Sequence, residues 1–133
     1  MADLDGAPSD SADDPVARLL CDTKALTAGR PASTGALWRL AEPGRQLDAN
    51  LVHLPPGECV RTHVEPDLDV LLVVVAGAGT LGTARGPQPL AEGSLIWLPH
   101  GSSRSVTAGG DGLSYLTVHR RRPGMQIRTR PAT

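Results

Sequence analysis

From Gly35 onward, the chain is a succession of short apolar segments separated by turn signals that are rich in glycine and proline. Such signals, recurring at roughly 8–12 residues, are typical of an all-β sandwich or barrel. No segment after Gly35 has the apolar repeat of a helix that would connect two strands. Because neighbouring parallel strands need such a crossover, the sequence favours an antiparallel all-β fold over a parallel α/β sheet.

The predicted strands can be placed along the chain. They are GALWRL (35–40), QLDANLVHL (46–54), ECVRTH (58–63), LDVLLVVVA (68–76), TLGTAR (80–85), SLIWL (94–98), RSVTA (104–108), LSYLTVHR (113–120) and an edge strand MQIRT (125–129). We predict a turn at GAG (77–79), a loop at GPQPLAEG (86–93) and a tight hairpin turn at GGDG (109–112).

The N-terminal third has a different character. Residues 1–13 are small, polar and acidic, which predicts a disordered leader. A short helix and a linker are expected over residues 14–34, with Asp13 or Asp14 as the helix cap. Apolar side chains of this helix, Val16, Leu19 and Leu20, would form its buried stripe. Residues 35–133 would form the single β domain.

Composition narrows the classes of function. The chain has no Phe, one Tyr and two Trp, so stacking platforms for single-stranded nucleic acid are nearly absent. The longest apolar run, Val70–Ala76, is too short to span a bilayer. The acidic start has no apolar signal-peptide core and the two cysteines form no framework, which predicts a cytoplasmic protein. The Arg-rich segment from Arg120 to Arg130 is expected to be a solvated end, one alternative being a tail that binds phosphate or an acidic partner.

Two glycine- and proline-marked motifs resemble those of the cupin superfamily. The segment GECVRTHVEPDLDVLLVVVAG begins at Gly57 and resembles the first motif, which runs Gly, five residues, His-x-His, three or four residues, Glu, six residues and Gly. The segment GSLIWLPHGSSR begins at Gly93 and resembles the second, which runs Gly, five residues, Pro-x-Gly, two residues and His. The resemblance implies a jelly-roll β-barrel, which commonly forms homodimers, and the second alternative for the Arg-rich segment is an edge that pairs in the homodimer.

In metal-binding cupins, two His and the Glu of the first motif and the His of the second hold one divalent metal. At these positions this chain has His63, then Glu65, then Asp69 or Val70, and finally Arg104. Taking Gly77 as the last glycine of the motif selects Val70, which cannot bind a metal. The metal motif therefore departs from the family pattern.

Three hypotheses follow for this cluster. In the first, His63, Glu65 and Asp69 bind one divalent transition metal (Fe, Mn, Ni, Cu or Zn), as in a metal-dependent oxygenase, isomerase or lyase. A further imidazole would come from His53 or His119.

In the second hypothesis, Arg104 replaces the metal and pairs with Glu65 or Asp69. The barrel then binds a small, anionic molecule, with His63 available as an acid or base. Tyr115 and His119, which alternate with Thr117 on the last strand, would line the pocket. This is the function that the sequence favours, and it leaves open whether binding leads to catalysis.

In the third hypothesis, the cluster is a structural ion-pair network, and the domain acts as a structural or regulatory module through protein contacts. Outside the cluster, His100 is expected to be a solvent-exposed turn residue. Cys59 is expected to be buried and inert. Trp38 and Trp97 are expected in the core or at an interface.

Overall fold

A computed structural model of the chain describes residues 15–29 and 34–122. Within these residues, one helix and seven strands follow one another along the chain. They are α1 (Thr23–Thr27), β1 (Gly35–Arg39), β2 (Leu47–Leu54), β3 (Cys59–Val64), β4 (Val70–Thr83), β5 (Gly86–Ala91), β6 (Leu95–Leu98) and β7 (Ser103–Arg120). Every strand pair is antiparallel, which confirms the predicted all-β class with a short N-terminal helix.

Two long strands, β4 and β7, pair with each other along most of their lengths and organise the sheet. The first part of β4 and the last part of β7 lie in one half-sheet, of order β1-β2-β7-β4-β6. The last part of β4 and the first part of β7 lie in a second half-sheet, of order β3-β7-β4-β5. The same two strands therefore continue from one half-sheet into the other.

The hydrophobic core lies between the two half-sheets. Its buried side chains come from both of them and form one cluster, which includes Leu54, Leu72, Val74, Leu81, Leu90, Leu98, Val106 and Leu113. Burial of this kind contributes about 1.5–3 kcal/mol for each large aliphatic side chain. Since both halves supply the same cluster, each half-sheet needs the other in order to be covered.

The two long strands pass between the half-sheets at a set of glycines that we call the glycine crossover: Gly77, Gly79 and Gly112. A Cβ on Gly77 would lie 2.1 Å from the backbone O of Gly112, and a Cβ on Gly79 would lie 2.2 Å from the backbone O of Thr107. The pairing register also shifts here, between Val74 and Ala76 and between Gly77 and Gly79. Only glycine allows the two backbones to approach so closely.

The glycine crossover corrects two predictions. The segments 77–79 and 109–112 are not turns, since β4 and β7 run through them without reversing direction. The glycines permit a bend and a close backbone contact, whereas we predicted chain reversals. As a result, two predicted strand pairs (68–76 with 80–85, and 104–108 with 113–120) are in fact the two long strands.

The predicted loop 86–93 is also wrong in part, because Gly86–Ala91 forms β5. Its two prolines, Pro87 and Pro89, weakened the strand signal. They are accommodated because β5 lies at the edge of the second half-sheet and pairs only with β4 among the described residues.

The helix lies later than predicted. Residues 15–20 are not helical, and Val16, Leu19 and Leu20 are exposed and form no buried stripe. Instead, the Asp22 carboxylate accepts hydrogen bonds from the backbone N–H groups of Lys24 and Ala25, and α1 begins at Thr23. The position of a local cap therefore decided where this short helix starts.

Three terminal predictions fall outside the described residues: the disordered leader 1–13, most of the Arg-rich segment and the edge strand 125–129. Within residues 15–29 and 34–122, no helix is long and apolar enough to cross a membrane.

Candidate functional site

A cavity of about 700 Å³ lies between the half-sheets, lined by residues of β1, β2, β3, β4, β6 and β7. Part of its wall is apolar, formed by Val52, Val60, Val70, Leu72, Leu98 and Val106. Its polar lining comprises His63, Glu65, Arg104, Tyr115, Thr117 and His119, together with Arg39, Arg45, Asp48, Asn50 and Arg122. A volume of this size suits a small organic molecule.

The centre of the polar lining is a cross-strand pair. His63 on β3 lies directly opposite Arg104 on β7 in the register, and both side chains line the cavity. In an antiparallel pair, such opposed residues have Cβ atoms about 4.5–5.5 Å apart. The two positions that the cupin motifs assign to metal-binding His residues are therefore adjacent, and one of them holds a permanent cation.

Arg104 is buried, with only 5% of its surface exposed. Its Nη1 donates to the backbone O of Ser102 at 3.4 Å and to the Oγ of Ser102 at 3.1 Å. No carboxylate of the described residues forms an ion pair with it. Burial lowers the pKa of this guanidinium, although the charge of Glu65 opposes that shift. The remaining donors of Arg104 have no protein acceptor among the described residues.

His63 has a defined ring orientation. Its Nδ1 donates to the backbone O of Arg61 at 3.0 Å. Because a carbonyl oxygen only accepts, Nδ1 carries the hydrogen, and Nε2 of the neutral ring holds the lone pair. No described residue bonds Nε2, so this nitrogen is available to a ligand.

Tyr115 contributes a second unused donor. It is 6% exposed and lines the cavity, and its hydroxyl has no hydrogen bond to a described residue. Burial raises the pKa of the phenol, which keeps the hydroxyl protonated at neutral pH. Neither Tyr115 nor Arg104 has a fully buried polar side-chain atom without a partner, so their unused donors are accessible from the cavity and can donate to a polar ligand.

Glu65 lies on the cavity wall but pairs with a different arginine from the predicted one. Its Oε1 accepts from Nη2 of Arg122 at 2.6 Å, and its Oε2 accepts from the backbone N–H of Asp67 at 2.9 Å. The hydrogen bond from Arg122, followed by that from Asp67, lowers the pKa of Glu65 to about 2. The predicted pairing of Arg104 with Glu65 or Asp69 is therefore wrong.

Asp69 is not part of the cavity. Its Oδ1 accepts from the backbone N–H of His100 at 2.9 Å and from Nδ1 of His100 at 2.7 Å, on the exposed turn after β6. These hydrogen bonds lower the pKa of Asp69. The next residue, Val70, lines the cavity instead. This agrees with the alignment of the first motif on Gly77, and His100 is the exposed turn residue that we predicted.

A second polar group lies at the end of β2 and β7. His119 and Asp48 are opposite each other in the register, and both line the cavity. Asp48 accepts from Nε of Arg45 at 2.9 Å. Burial tends to raise the pKa of Asp48, but the hydrogen bonds from the Arg45 side chain and from the backbone of Arg122, together with the charge of Arg45, lower it overall. Of the other sequence-predicted lining residues, Thr117 also lies here.

Three further predictions are resolved by burial. His53 is buried but lies away from the cavity lining, where its Nδ1 is 2.7 Å from Oγ of Ser114 and its Nε2 is unpartnered. It is therefore not the further imidazole of the site. Cys59 is exposed, so the expected burial is wrong. Trp97 is 57% exposed and is not a core residue.

The donor set does not fit the family's metal. Within the described ranges, no group of three His, Cys, Asp or Glu residues is arranged to hold a metal ion. Of the four motif positions, His63 and Glu65 line the cavity with potential donor atoms, but Val70 has none and Arg104 is cationic. Both oxygens of Glu65 are already engaged. The structure does not bring His63, Glu65 and Asp69 together.

The cavity has an electrostatic preference of its own. Its described lining contains four arginines and two carboxylates, and both carboxylates are paired with arginines, Glu65 with Arg122 and Asp48 with Arg45. An anionic group entering the cavity therefore meets excess positive charge, including the buried Arg104. Charge-assisted hydrogen bonds of this kind are shorter and stronger than neutral ones.

Sequence reasoning missed several lining residues, among them Arg39, Arg45, Asp48, Asn50 and Arg122. Period-two alternation along β2, which puts Asp48, Asn50 and Val52 on one face, was the available signal for two of them. No local signal linked Arg122 to Glu65, because they are distant in sequence.

Comparison with known proteins gives results for structures only. No family model matches the chain, and no curated protein matches it. A sugar phosphate isomerase of the cupin superfamily from Silicibacter pomeroyi is 26% identical, with a TM-score of 0.55 over 59% of this chain and 52% of that one. A predicted oxalate decarboxylase from Thermotoga maritima is 23% identical, with a TM-score of 0.52 over 56% of this chain and 65% of that one.

A protein from Bacillus halodurans matches over a larger share, 87% of this chain and 89% of that one, at 21% identity and a TM-score of 0.64. The chain spans only about half to two thirds of the length of the Silicibacter and Thermotoga proteins. The structural neighbours are nevertheless consistently cupin-superfamily proteins, and the fold of this chain is that of the cupin superfamily.

Proposed function

We propose that this cupin domain binds a small anionic molecule in its cavity, and that Arg104, in place of a metal, supplies the central positive charge. In this proposal the two half-sheets close into the barrel that encloses the ligand. The single observation that carries it is the buried Arg104, which faces the cavity with unused donors and no carboxylate partner among the described residues.

The energetics of burial support this reading. A buried cation that lacks an anionic partner costs folding free energy, because the protein replaces water poorly. Ser102 satisfies only Nη1 of Arg104. A carboxylate or phosphate in the cavity would satisfy the other donors and compensate the charge.

The lining of the cavity sets further limits on the ligand. Tyr115 adds an uncharged donor, and the apolar wall at Val52, Leu72 and Leu98 would contact carbon atoms. We therefore favour an organic anion over a simple inorganic one. The Silicibacter neighbour is described as a sugar phosphate isomerase, which is consistent with a cavity for small acidic molecules.

The test is a thermal-shift screen of small mono- and dicarboxylates and sugar phosphates, followed by calorimetry, on protein dialysed against a chelator. Ligand binding to the native state raises Tm in proportion to RT ln(1 + [L]/Kd). We expect at least one organic anion to stabilise the wild type. Arg104→Met should weaken its binding by about 10- to 100-fold, because one charge-assisted interaction is lost.

Arg85→Met is the matched control, since Arg85 is exposed and does not line the cavity. Equal binding by Arg104→Met and the control, or no stabilisation by any anion in the screen, would contradict the proposal.

The predicted homodimer and cytoplasmic location stay predictions. An exposed apolar patch of Leu71, Leu95 and Trp97 supports association. Leu71 and Trp97 are register partners on the face of the sheet opposite to Leu72 and Leu98. Light scattering of the wild type and of Trp97→Lys tests this prediction, with a dimer expected only for the wild type.

A further inference from the structure

We propose that the cavity catalyses proton transfer at a carbon next to a carbonyl group, in a small 2-oxo carboxylate, with His63 as the base. This inference rests on the proposed function, because the acidic group of the substrate is held by Arg104. It goes further by assigning a reaction type and a substrate class to the same cavity.

The position of His63 is the first argument. Since it lies opposite Arg104 across β3 and β7, a small acid bound to the guanidinium is next to the imidazole. The hydrogen bond from Nδ1 to the carbonyl of Arg61 fixes the ring and leaves the lone pair on Nε2. A general base needs this combination, a nitrogen within reach of the substrate and a second nitrogen held by an orienting acceptor.

The other titratable groups of the cavity are less suitable than His63 as the general base. Both oxygens of Glu65 accept hydrogen bonds, from Arg122 and from Asp67. Because Arg122 stabilises its charged form, this carboxylate is a weak base. Asp48 is similarly engaged with Arg45. His119 lies at the other end of β7, opposite Asp48 and not opposite Arg104.

Stabilisation of the developing negative charge is the second argument. Removing a proton next to a carbonyl produces an enolate, whose charge is on oxygen. Arg104 and the hydroxyl of Tyr115 are buried donors without partners of their own in the described residues, apart from Ser102 on Arg104. Donors that are already oriented towards the position of the developing charge stabilise an oxyanion without the reorganisation that water needs.

The step is balanced without a further reagent. The C3–H bond of the 2-oxo acid breaks and its proton passes to Nε2 of His63. The electron pair of that bond becomes the carbon–carbon π bond, and the carbonyl π pair moves to the oxygen, which accepts from Tyr115 and from an Arg104 donor that the carboxylate does not use. Return of a proton from His63 to carbon restores the 2-oxo acid, so the observable reaction is exchange of hydrogen with solvent.

The experiment measures that exchange by proton NMR in D2O. The probes are pyruvate, 2-oxobutyrate and 2-oxoglutarate, incubated with the full chain after dialysis against a chelator. We expect loss of the C3–H signal of at least one probe at 10 times the buffer rate or more. Calorimetry with oxamate, a pyruvate analogue without a C3–H bond, and with oxalate measures binding separately.

Three variants assign the roles. His63→Gln should reduce exchange to the buffer rate while oxamate binding changes by less than about threefold. Arg104→Met should reduce both exchange and binding. His100→Gln is the control, because His100 bonds Asp69 on the exposed turn and does not line the cavity; it should exchange as the wild type does.

The outcomes separate the two proposals. Binding of oxamate or oxalate with no exchange of any probe overturns proton transfer and leaves the proposed anion site standing. Exchange that survives in His63→Gln overturns the assignment of the base. If none of the probes binds or exchanges, the substrate class is wrong. The thermal-shift screen of other organic anions then shows whether the cavity binds an anion at all.

Discussion

The glycine crossover and the polar wall of the cavity, by which we mean Arg104 and Tyr115, share strand β7 but are under opposite constraints. At the crossover, the backbones of β4 and β7 are so close that one added carbon atom on Gly77 would overlap Gly112. At the polar wall, Arg104 and Tyr115 have donors that no described residue accepts. At the crossover, the space around Gly77 and Gly79 is filled by the backbone of β7. The polar wall has donors that face the cavity and that no contact among the described residues uses, which is characteristic of functional sites.

The largest effect is expected at the glycine crossover. Gly77→Ala should destabilise the fold by about 3–5 kcal/mol, because the new Cβ meets backbone and not a flexible side chain. The residue also has a φ of 81°, which disfavours any side chain. Urea unfolding measures the change.

Gly110→Ala is the matched control for that substitution. Gly110 lies on β7, a Cβ there would have no neighbour within 4 Å, and its φ is not in the left-handed region. It should cost less than about 1 kcal/mol. Equal losses for Gly77→Ala and Gly110→Ala would show that close approach is not what the crossover glycines provide.

A somewhat smaller effect is expected in the core between the half-sheets. Leu72→Ala should cost about 2–5 kcal/mol, because Leu72 is 1% exposed and its removal leaves a cavity. Leu47 on β2 is 51% exposed and lies outside the apolar patch of Leu71, Leu95 and Trp97, so Leu47→Ala should cost about 0.5 kcal/mol or less. Thermal unfolding of both variants tests the difference in burial, and a reversed order would contradict it.

At the polar wall, a substitution should not lower the free energy of unfolding as substitutions do at the crossover and in the core. Arg104→Met should leave the free energy of unfolding unchanged or raise it by about 1 kcal/mol, because a cation paired with no carboxylate is replaced by an apolar side chain of similar length. Urea unfolding in the absence of anions is the measurement. A decrease in the free energy of unfolding by more than about 2 kcal/mol would mean that Arg104 stabilises the fold, and would contradict its assignment to ligand binding.

The smallest expected effect concerns pH. The pKa of Glu65 is about 2, below its ordinary value of 4.5. The stabilisation from its ion pair with Arg122 is therefore complete above pH 4.5 and is lost as the pH falls towards 2. Because Arg122 is more than half exposed, Glu65→Gln should lower Tm at pH 7 by only about 1–3 °C.

Near pH 2 the Tm of the wild type and of Glu65→Gln should converge. Glu58→Gln, at an exposed position outside the cavity, should follow the wild type at every pH. A constant difference between wild type and Glu65→Gln from pH 7 to pH 2 would contradict the ion-pair explanation.

The sequence predicted those features that depend on local pattern. The strand segments around Leu51, Val60, Leu72 and Leu98 were placed correctly, because apolar alternation and turn residues are local signals. The motif spacing also brought His63 and Arg104 to one site, and their register pairing agrees with it. These predictions required no knowledge of distant contacts.

Other features were not predicted, because the same residue pattern is compatible with two different structures. Glycine at Gly77 and Gly112 indicates backbone freedom, but freedom serves a chain reversal and a close strand crossing equally well. The partners of charged residues were also mispredicted. Glu65 pairs with Arg122 and Asp69 with His100 because the fold brings these distant residues together, and charge patterns along the chain carry no such information.

The central place of β7 has a consequence for the order of assembly. Among the described residues, β3 has no strand partner other than β7, and β2 has only β7 and the short β1. A nascent chain that has emerged only as far as β6 therefore lacks the neighbour that completes either half-sheet. Since such distant pairings fold slowly, the binding cavity should be one of the last features to form during synthesis on the ribosome, after residue 120 has left the exit tunnel.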